Sequence, residues 1–216
     1  MKLLYKDLGT VKYNQAYDLQ EKYVEMVQNG SPDTLVLLEH PKVITLGINA
    51  DVSNILMDTD DLIANGFEIM NIRRGGDVTY HGPGQLVAYT IFNIKKNHGG
   101  SIKKFVHALE QIIIDLLIEE YGIEANRDPI NSGVFIGLSK IAAIGLSVHR
   151  GVTMHGFALN VNTDLSDFKT IVPCGLTTRD VTSIEAILGQ SQNMIQVKKS
   201  VLNRFTQTFG FTSIET

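Results

Sequence analysis

One cysteine occurs among the 216 residues, Cys174 in the run IVPCGL. The proline before it and the glycine after it set a turn, so the thiol projects from a loop rather than from a helix or strand. Such a thiol reads either as a small buried apolar group or as a nucleophile, and nucleophilic use requires a neighbour that draws off its proton. The candidate neighbour is Lys140, a lone charge inside GLSKIAAIGLSV. A lysine in an apolar strand can guard a sheet edge, reach its ammonium to the surface, or present a desolvated amine to a cleft. In the last case, an amine beside the thiol favours the ion pair and lowers the thiol pKa from its free value of roughly 8.5. Nothing in the spacing of the two residues decides among these readings.

A second region with chemical capacity is RRGGDVTYHGPGQLVAYT, residues 73–90. Its paired glycines permit positive φ and close approach of another group to the backbone, which suits a tight turn or a loop wrapped round a ligand. It is not a phosphate cradle, because it lacks Gly-Lys-Ser/Thr and runs into an apolar strand instead of opening a helix. His81 in TYHGPG and His155 in TMHGFALN each precede a glycine at a strand edge. There an imidazole lines a polar site or is held as an ordinary hydrogen-bonded side chain. No His-x-x-x-His or His-Glu-x-x-His spacing occurs, and one cysteine is too few for a thiolate zinc site, so no metal is expected.

These residues need elements to position them. Apolar residues at 16, 17, 19, 23, 24, 26 and 27 predict a helix over 14–28, ended by Gly30 and Pro32. TLVLLEH and KVITLG read as short buried strands on either side of His40-Pro41, and FEIMNIRR as a strand entering the glycine loop. Residues 101–121 give the clearest helix, with Ser101 as N-cap and Gly122 past its end. Its apolar positions 102, 105, 106, 109, 112, 113, 116 and 117 predict one buried face. Glycine turns divide GVFIGLSKIAAIGLSVHRGVTMHGFALNVN into strands of an antiparallel meander, and MIQVKKSVLNRFTQTF is helical again. Strands and helices mix without regular βαβ alternation. The expectation is therefore α+β, a single domain over 1–216 with a mixed, mostly antiparallel sheet flanked by helices.

Composition narrows the class of function. The net charge of −4 gives no support for nucleic-acid binding, and no apolar run is long enough to span a membrane. The N-terminal MKLLYKDLGTVKYNQ turns polar quickly, with no small-residue cleavage site, so no secretory signal is expected and the cytoplasm is the expected compartment.

Three long motifs, RRGGDVTYHGPGQLVAYTIFNIK, SKIAAIGLSVHRGVTMHGFALNVNTDLSDF and IVPCGL, resemble the lipoyl(octanoyl) transferase family of the biotin/lipoate protein ligase superfamily. LEHPKVITLG resembles the same family, and the likeness runs in order from about residue 34 to about residue 180. The resemblance implies a mostly antiparallel sheet flanked by helices. It also implies transfer of an octanoyl group from acyl carrier protein to a lysine of a lipoyl domain. The implied partners are octanoyl-acyl carrier protein, the lipoyl domains of 2-oxoacid dehydrogenase E2 subunits and the glycine cleavage H protein. No cofactor is implied, because the donor's acyl group already rides on a phosphopantetheine thioester, and a monomer is expected.

Residue by residue, Cys174 matches the family position that carries the acyl group, and Lys140 the lysine that sets its protonation. Arg74, Gly75, Gly76, Asp77, Val78, Thr79, Tyr80 and His81 match the acyl-binding loop. Ala143, Ile144 and Gly145, with Gly156, Phe157 and Ala158, match two further substrate-binding segments. Val78, Ile144 and Phe157 are the apolar residues expected along the chain's groove. Exposed cations flanking these motifs, Arg73, Lys95, Lys96, Lys103, Lys104 and Arg150, are candidates for a rim that receives acidic partners. DPINSGVFI and AAIG depart from the family pattern without touching the cysteine or lysine. Two rival readings are an ATP-dependent lipoate ligase of the same superfamily, and a cysteine hydrolase or non-catalytic acyl-binding module.

Overall fold

A computed structural model of the chain describes residues 1–129, 131–172 and 180–216. The elements run β1 (Lys2–Thr10), α1 (Tyr13–Gln28), β2 (Asp33–Glu39), β3 (Val43–Leu46), α2 (Thr59–Ala64), β4 (Glu68–Asn71), β5 (Val78–His81), β6 (Gln85–Ile91) and α3 (Ile94–Asn97). There follow α4 (Ile102–Tyr121), β7 (Asn126–Arg127), β8 (Gly133–Ile136), β9 (Ser139–His149), β10 (Val152–Asn160), β11 (Asp180–Val181), α5 (Ile184–Leu188), α6 (Met194–Phe209) and β12 (Ser213–Glu215).

Among the described residues these strands form two sheets. The larger has the order β12-β1-β2-β6-β10-β9-β8-β7, with β11 added beside β9. Its β2–β6, β6–β10, β10–β9, β9–β8 and β8–β7 ladders are antiparallel. β1 runs parallel to β2 and β12, and β11 parallel to β9. The α+β, mostly antiparallel expectation therefore holds, and β8-β9-β10 is the meander read from the glycine turns.

Two features depart from the sequence reading. β3 pairs with β4 and β5 in a separate three-stranded sheet rather than joining the large one. β1 occupies Lys2–Thr10, a stretch whose patterning predicts no element. Only Leu3 of that strand is buried, so its apolar alternation is too weak to read.

Alternation along the large sheet separates two cores. Leu35, Leu37, Leu86, Ala88, Phe157 and Leu159 pack with Phe105, Leu109 and Ile113 of α4 and Val197, Val201 and Phe205 of α6. Val36, Leu38, Val87, Tyr89, Met154 and Ala158 pack on the other face against Ala16, Val24 and Val27 of α1. α4 has the predicted caps: the Ser101 hydroxyl accepts from the Lys104 N–H, and Gly122 takes the left-handed conformation.

Gly156 lies in the β6–β10 ladder opposite Tyr89, and a Cβ there would stand 2.0 Å from the Ala88 carbonyl oxygen. That obstacle is backbone in a central ladder and cannot swing away. Gly156→Ala is therefore expected to destabilise the fold by about 3 kcal/mol, read from urea unfolding midpoints. A loss below about 1 kcal/mol would show that the two strands separate easily.

Candidate active site

A cleft lies between the large sheet and the glycine loop. Its floor is Ala143, Ile144 and Gly145 of β9 with His155, Gly156, Phe157 and Ala158 of β10. Its roof is Arg74, Gly75, Gly76, Thr79 and His81, and Tyr13 at the start of α1 closes one side. Segments 74–81, 143–145 and 155–158 thus converge on one cleft. No carboxylate stands among the described residues that line it.

Strand alternation divides the expected acyl loop. Thr79 and His81 face the cleft, whereas Val78 and Tyr80 point the other way into the core of the small sheet. There they meet Ile44, Leu46, Leu62, Phe67, Phe168 and Ile171, and the Tyr80 hydroxyl donates to Asp167 Oδ2 at 2.6 Å. Val78 is fully buried in that core and does not line the groove, in contrast to the expectation. Asp77 is held by the Asn54 side chain at 2.6 Å and the Asp51 N–H at 2.9 Å, and borders a second, outer groove.

Arg74 braces the roof. Its guanidinium donates to the Thr45 carbonyl at 2.8 Å, the Thr45 hydroxyl at 3.0 Å and the Gly75 carbonyl at 3.1 Å. A Cβ on Gly47 would sit 2.3 Å from the Gly76 carbonyl oxygen, so glycine at 47 lets the loop fold onto β3. The Gly75 N–H donates to the Leu146 carbonyl at 3.3 Å, strapping the loop to β9.

Gly75, Gly76, Ile144 and Gly145 also line the outer groove, which continues past Asp77, Asn131 and Ser132 to Lys140. Lys140 is 8 % exposed, and its Nζ stands 5.2 Å from the centre of the Phe135 ring. The β8–β9 pairing slips between Val134–Ala142 and Phe135–Lys140, so Ile141 is left without a β8 partner at this bend. The lysine is therefore neither an edge guard nor a surface-reaching cation, and it belongs to a groove wall. Ile102 and Val106, which fit the apolar stripe of α4, also line this groove instead of the core. Of the cations proposed as a rim, all six are exposed. Lys103 borders a groove continuous with the outer one, and Lys95 packs against the Arg150–Gly151 turn.

Cys174 lies outside the described residues. Its described flanks are both bonded to segments beside the outer groove. The Val172 N–H donates to the Asn54 carbonyl at 2.7 Å, and Asn54 holds Asp77. On the other side, Asp180 and Val181 run beside Ser139 and Lys140, with the Thr182 N–H on the Lys140 carbonyl at 3.0 Å.

Behind the cleft lies a cluster of neutral polar groups that sequence reasoning largely missed. His40 donates from Nδ1 to the Val11 carbonyl, which can only accept, and receives the Tyr89 hydroxyl at Nε2, each at 2.6 Å. Gln85 donates from Nε2 to the Tyr80 carbonyl at 3.3 Å and Asn160 Oδ1 at 2.9 Å, so its Oε1 must accept the His81 Nδ1 proton at 2.7 Å. Burial pushes the His40 pKa down to about 4, against the opposing Val11 bond. Burial first, then the His40 and Arg74 charges, pushes His81 down to about 3. Burial and Arg74 push His155 down to about 4. All three rings are neutral at neutral pH. The histidines at 81 and 155 were identifiable from their glycine neighbours. Tyr13, Gln20, His40 and Tyr89 looked like ordinary positions of a helix or a buried strand, and a polar residue on an apolar face was the sole signal.

Residues 12–206 match the family model described as the lipoyl protein ligase A/B catalytic domain. The octanoyltransferase of Alkaliphilus metalliredigens is 51% identical over 211 residues, covering 97% of this chain and 96% of the relative. That of Desulforamulus reducens is 47% identical over 212 residues, covering 98% and 92%. A solved structure of a putative lipoate protein ligase from T. acidophilum with bound lipoic acid superposes with a TM-score of 0.78 at 17% identity, covering 100% of this chain and 89% of that one. The structural likeness carries the fold.

Proposed function

The chain belongs to the lipoyl protein ligase A/B catalytic-domain family and catalyses octanoyl transfer for protein lipoylation, and on that premise we propose that the octanoyl group travels as a thioester on Cys174. The observation that carries the reading is the junction at Gly75–Gly76 and Ile144–Gly145. There a cleft with no carboxylate among its described lining residues opens into the groove that holds Lys140. The inner cleft is the acyl slot, and the outer groove is where acyl exchange occurs.

The steps balance as follows. The Lys140 amine accepts the Cys174 thiol proton, and the sulfur attacks the octanoyl carbonyl of the donor thioester. The tetrahedral intermediate collapses with loss of the donor thiolate, which takes the proton back from Lys140. One thioester replaces another, so this step is close to thermoneutral and needs neither nucleotide nor other cofactor. The acceptor lysine then attacks the Cys174 thioester and gives its excess proton to Lys140. The C–S bond breaks, and the Cys174 thiolate recovers that proton while the amide forms. Arg74 holds the loop through Thr45 and Gly75, so the slot is shaped before the chain enters.

The donor in this reading is octanoyl-acyl carrier protein. The acceptors are lipoyl domains of 2-oxoacid dehydrogenase E2 subunits and the glycine cleavage H protein, all in the cytoplasm. Acidic carriers meet the cationic side formed by Lys95, Lys96, Lys103, Lys104 and Arg150, which face solvent in a chain of net negative charge. The test is transfer from a purified octanoyl thioester to a lipoyl domain in the absence of ATP. Full transfer is expected. A strict requirement for ATP would make the chain a ligase, and release of free octanoate without amide formation would make it a hydrolase.

A further inference from the structure

The inner cleft is lined in part by a buried polar residue that an octanoyl chain cannot satisfy. His155 is 3 % exposed, and neither of its ring nitrogens has a hydrogen-bond partner among the described residues. The Arg73 backbone approaches the ring without hydrogen-bond geometry. Beside it, Gln20 accepts the His155 N–H through Oε1 at 2.8 Å, which leaves its own Nε2 buried and unpartnered as well. Most buried polar side chains in folded proteins are paired, so two adjacent unpaired ones at a cleft need an account. The backbone of His155 adds a second oddity, a left-handed φ of 66° in the middle of a strand. Non-glycine residues hold that conformation at a cost, and it persists where the surroundings enforce it, often at functional sites. The rings of Tyr17 and Tyr89 enclose the imidazole at 6.0 and 6.4 Å.

Position along the cleft gives these groups a meaning. Lys140 lines the outer groove and not the inner cleft, while His155, Tyr13 and His81 line the inner cleft and not the outer groove. An acyl chain whose carbonyl meets Lys140 therefore carries its far end into the part of the cleft that Tyr13, His81 and His155 line. We infer that His155, backed by Gln20, is a polar stop that sets acyl chain length: methylenes beyond those of octanoate run into buried polar groups they cannot pair with. This rests on the reading of the inner cleft as the acyl slot. A hydrophobic wall would penalise extra methylenes only through sterics. A polar stop also leaves its buried groups unpaired when apolar methylenes fill the space beside them, and it favours a longer chain whose end supplies a hydrogen-bonding group.

The experiment compares octanoyl, decanoyl and 10-hydroxydecanoyl thioesters of a small thiol as donors, with a purified lipoyl domain as acceptor. The wild-type chain is expected to use decanoyl about tenfold less well than octanoyl in kcat/KM, the scale of one buried polar group left unpaired. The terminal hydroxyl should recover most of that loss. His155→Gly, which suits the left-handed backbone, should bring the octanoyl and decanoyl values together and abolish the advantage of the hydroxyl. Ala143→Leu, on the cleft floor, should block all three donors. Equal use of decanoyl and 10-hydroxydecanoyl by the wild type, or an unchanged length preference in His155→Gly, would overturn the polar stop while leaving the slot intact. Normal octanoyl transfer by Ala143→Leu would overturn the slot reading and the stop with it.

Discussion

Lys140→Ala is expected to slow octanoyl transfer by at least about a hundredfold, the usual contribution of a positioned proton acceptor. The lysine sits almost fully buried in the groove wall at the start of β9, and its backbone carbonyl is tied to Thr182. Few other groups there can take a thiol proton. The inner-cleft histidines 81 and 155 have folded pKa values of about 3 and about 4, which makes them poor bases at neutral pH. The loss should fall on kcat more than on KM and should shrink as pH rises, because hydroxide then ionises the thiol without help. Lys140→Arg should stay impaired, since a guanidinium remains protonated and cannot accept. Single-turnover rates from pH 6 to 9 test this. A Lys140→Ala rate within threefold of wild type across that range would remove the lysine from the chemistry.

The second large effect concerns stability in mild acid. His40, His81 and His155 all have folded pKa values below the ordinary 6.5, so the unfolded chain takes up protons at higher pH than the folded one. Their contribution is complete above pH 6.5. It declines as pH falls, toward about 4 for His40 and His155 and toward about 3 for His81. At pH 5 each histidine costs about 2 kcal/mol of stability, about 6 kcal/mol for the three. That is comparable to the whole stability of many domains, so the protein should unfold readily near pH 5. The exposed carboxylates Asp51 and Asp164, held below their ordinary value of 3.8 by nearby serines, lose stabilisation at lower pH and do not mimic this. Urea midpoints at pH 7.5, 6 and 5 measure it, and His81→Gln should flatten the dependence by about a third. Stability at pH 5 within 1 kcal/mol of that at pH 7.5 would contradict the buried neutral state.

How far the sequence discloses this molecule depends on whether a signal is local. The α4 helix is legible because its apolar spacing, Ser101 cap and Gly122 stop agree with one another. The meander is legible because glycine turns punctuate it. Motif resemblance brings together Arg74, His81, Ala143, Gly145 and Phe157, and they do share one cleft. Resemblance treats residues 74–81 as a unit, however, and the alternation of a strand sends Val78 and Tyr80 to the far side. The separate sheet of β3, β4 and β5 is invisible locally, because a short apolar strand reads the same in either sheet. The polar cluster is invisible for a different reason. The His40–Tyr89 bond joins residues 49 apart, and only the folded chain turns two unremarkable core positions into neighbours.

The central claim is the thioester on Cys174, and intact-protein mass after rapid quenching tests it most directly. The protein is mixed with an octanoyl thioester donor, without acceptor, and its mass is compared with that of Cys174→Ser treated identically. The account predicts that the wild type gains one octanoyl group, that hydroxylamine removes it, and that addition of a lipoyl domain transfers it. Cys174→Ser should gain no such adduct and should lose octanoyl transfer. A Cys174→Ser variant that transfers octanoate at the wild-type rate, or a wild type that transfers without ever carrying the adduct, would contradict it.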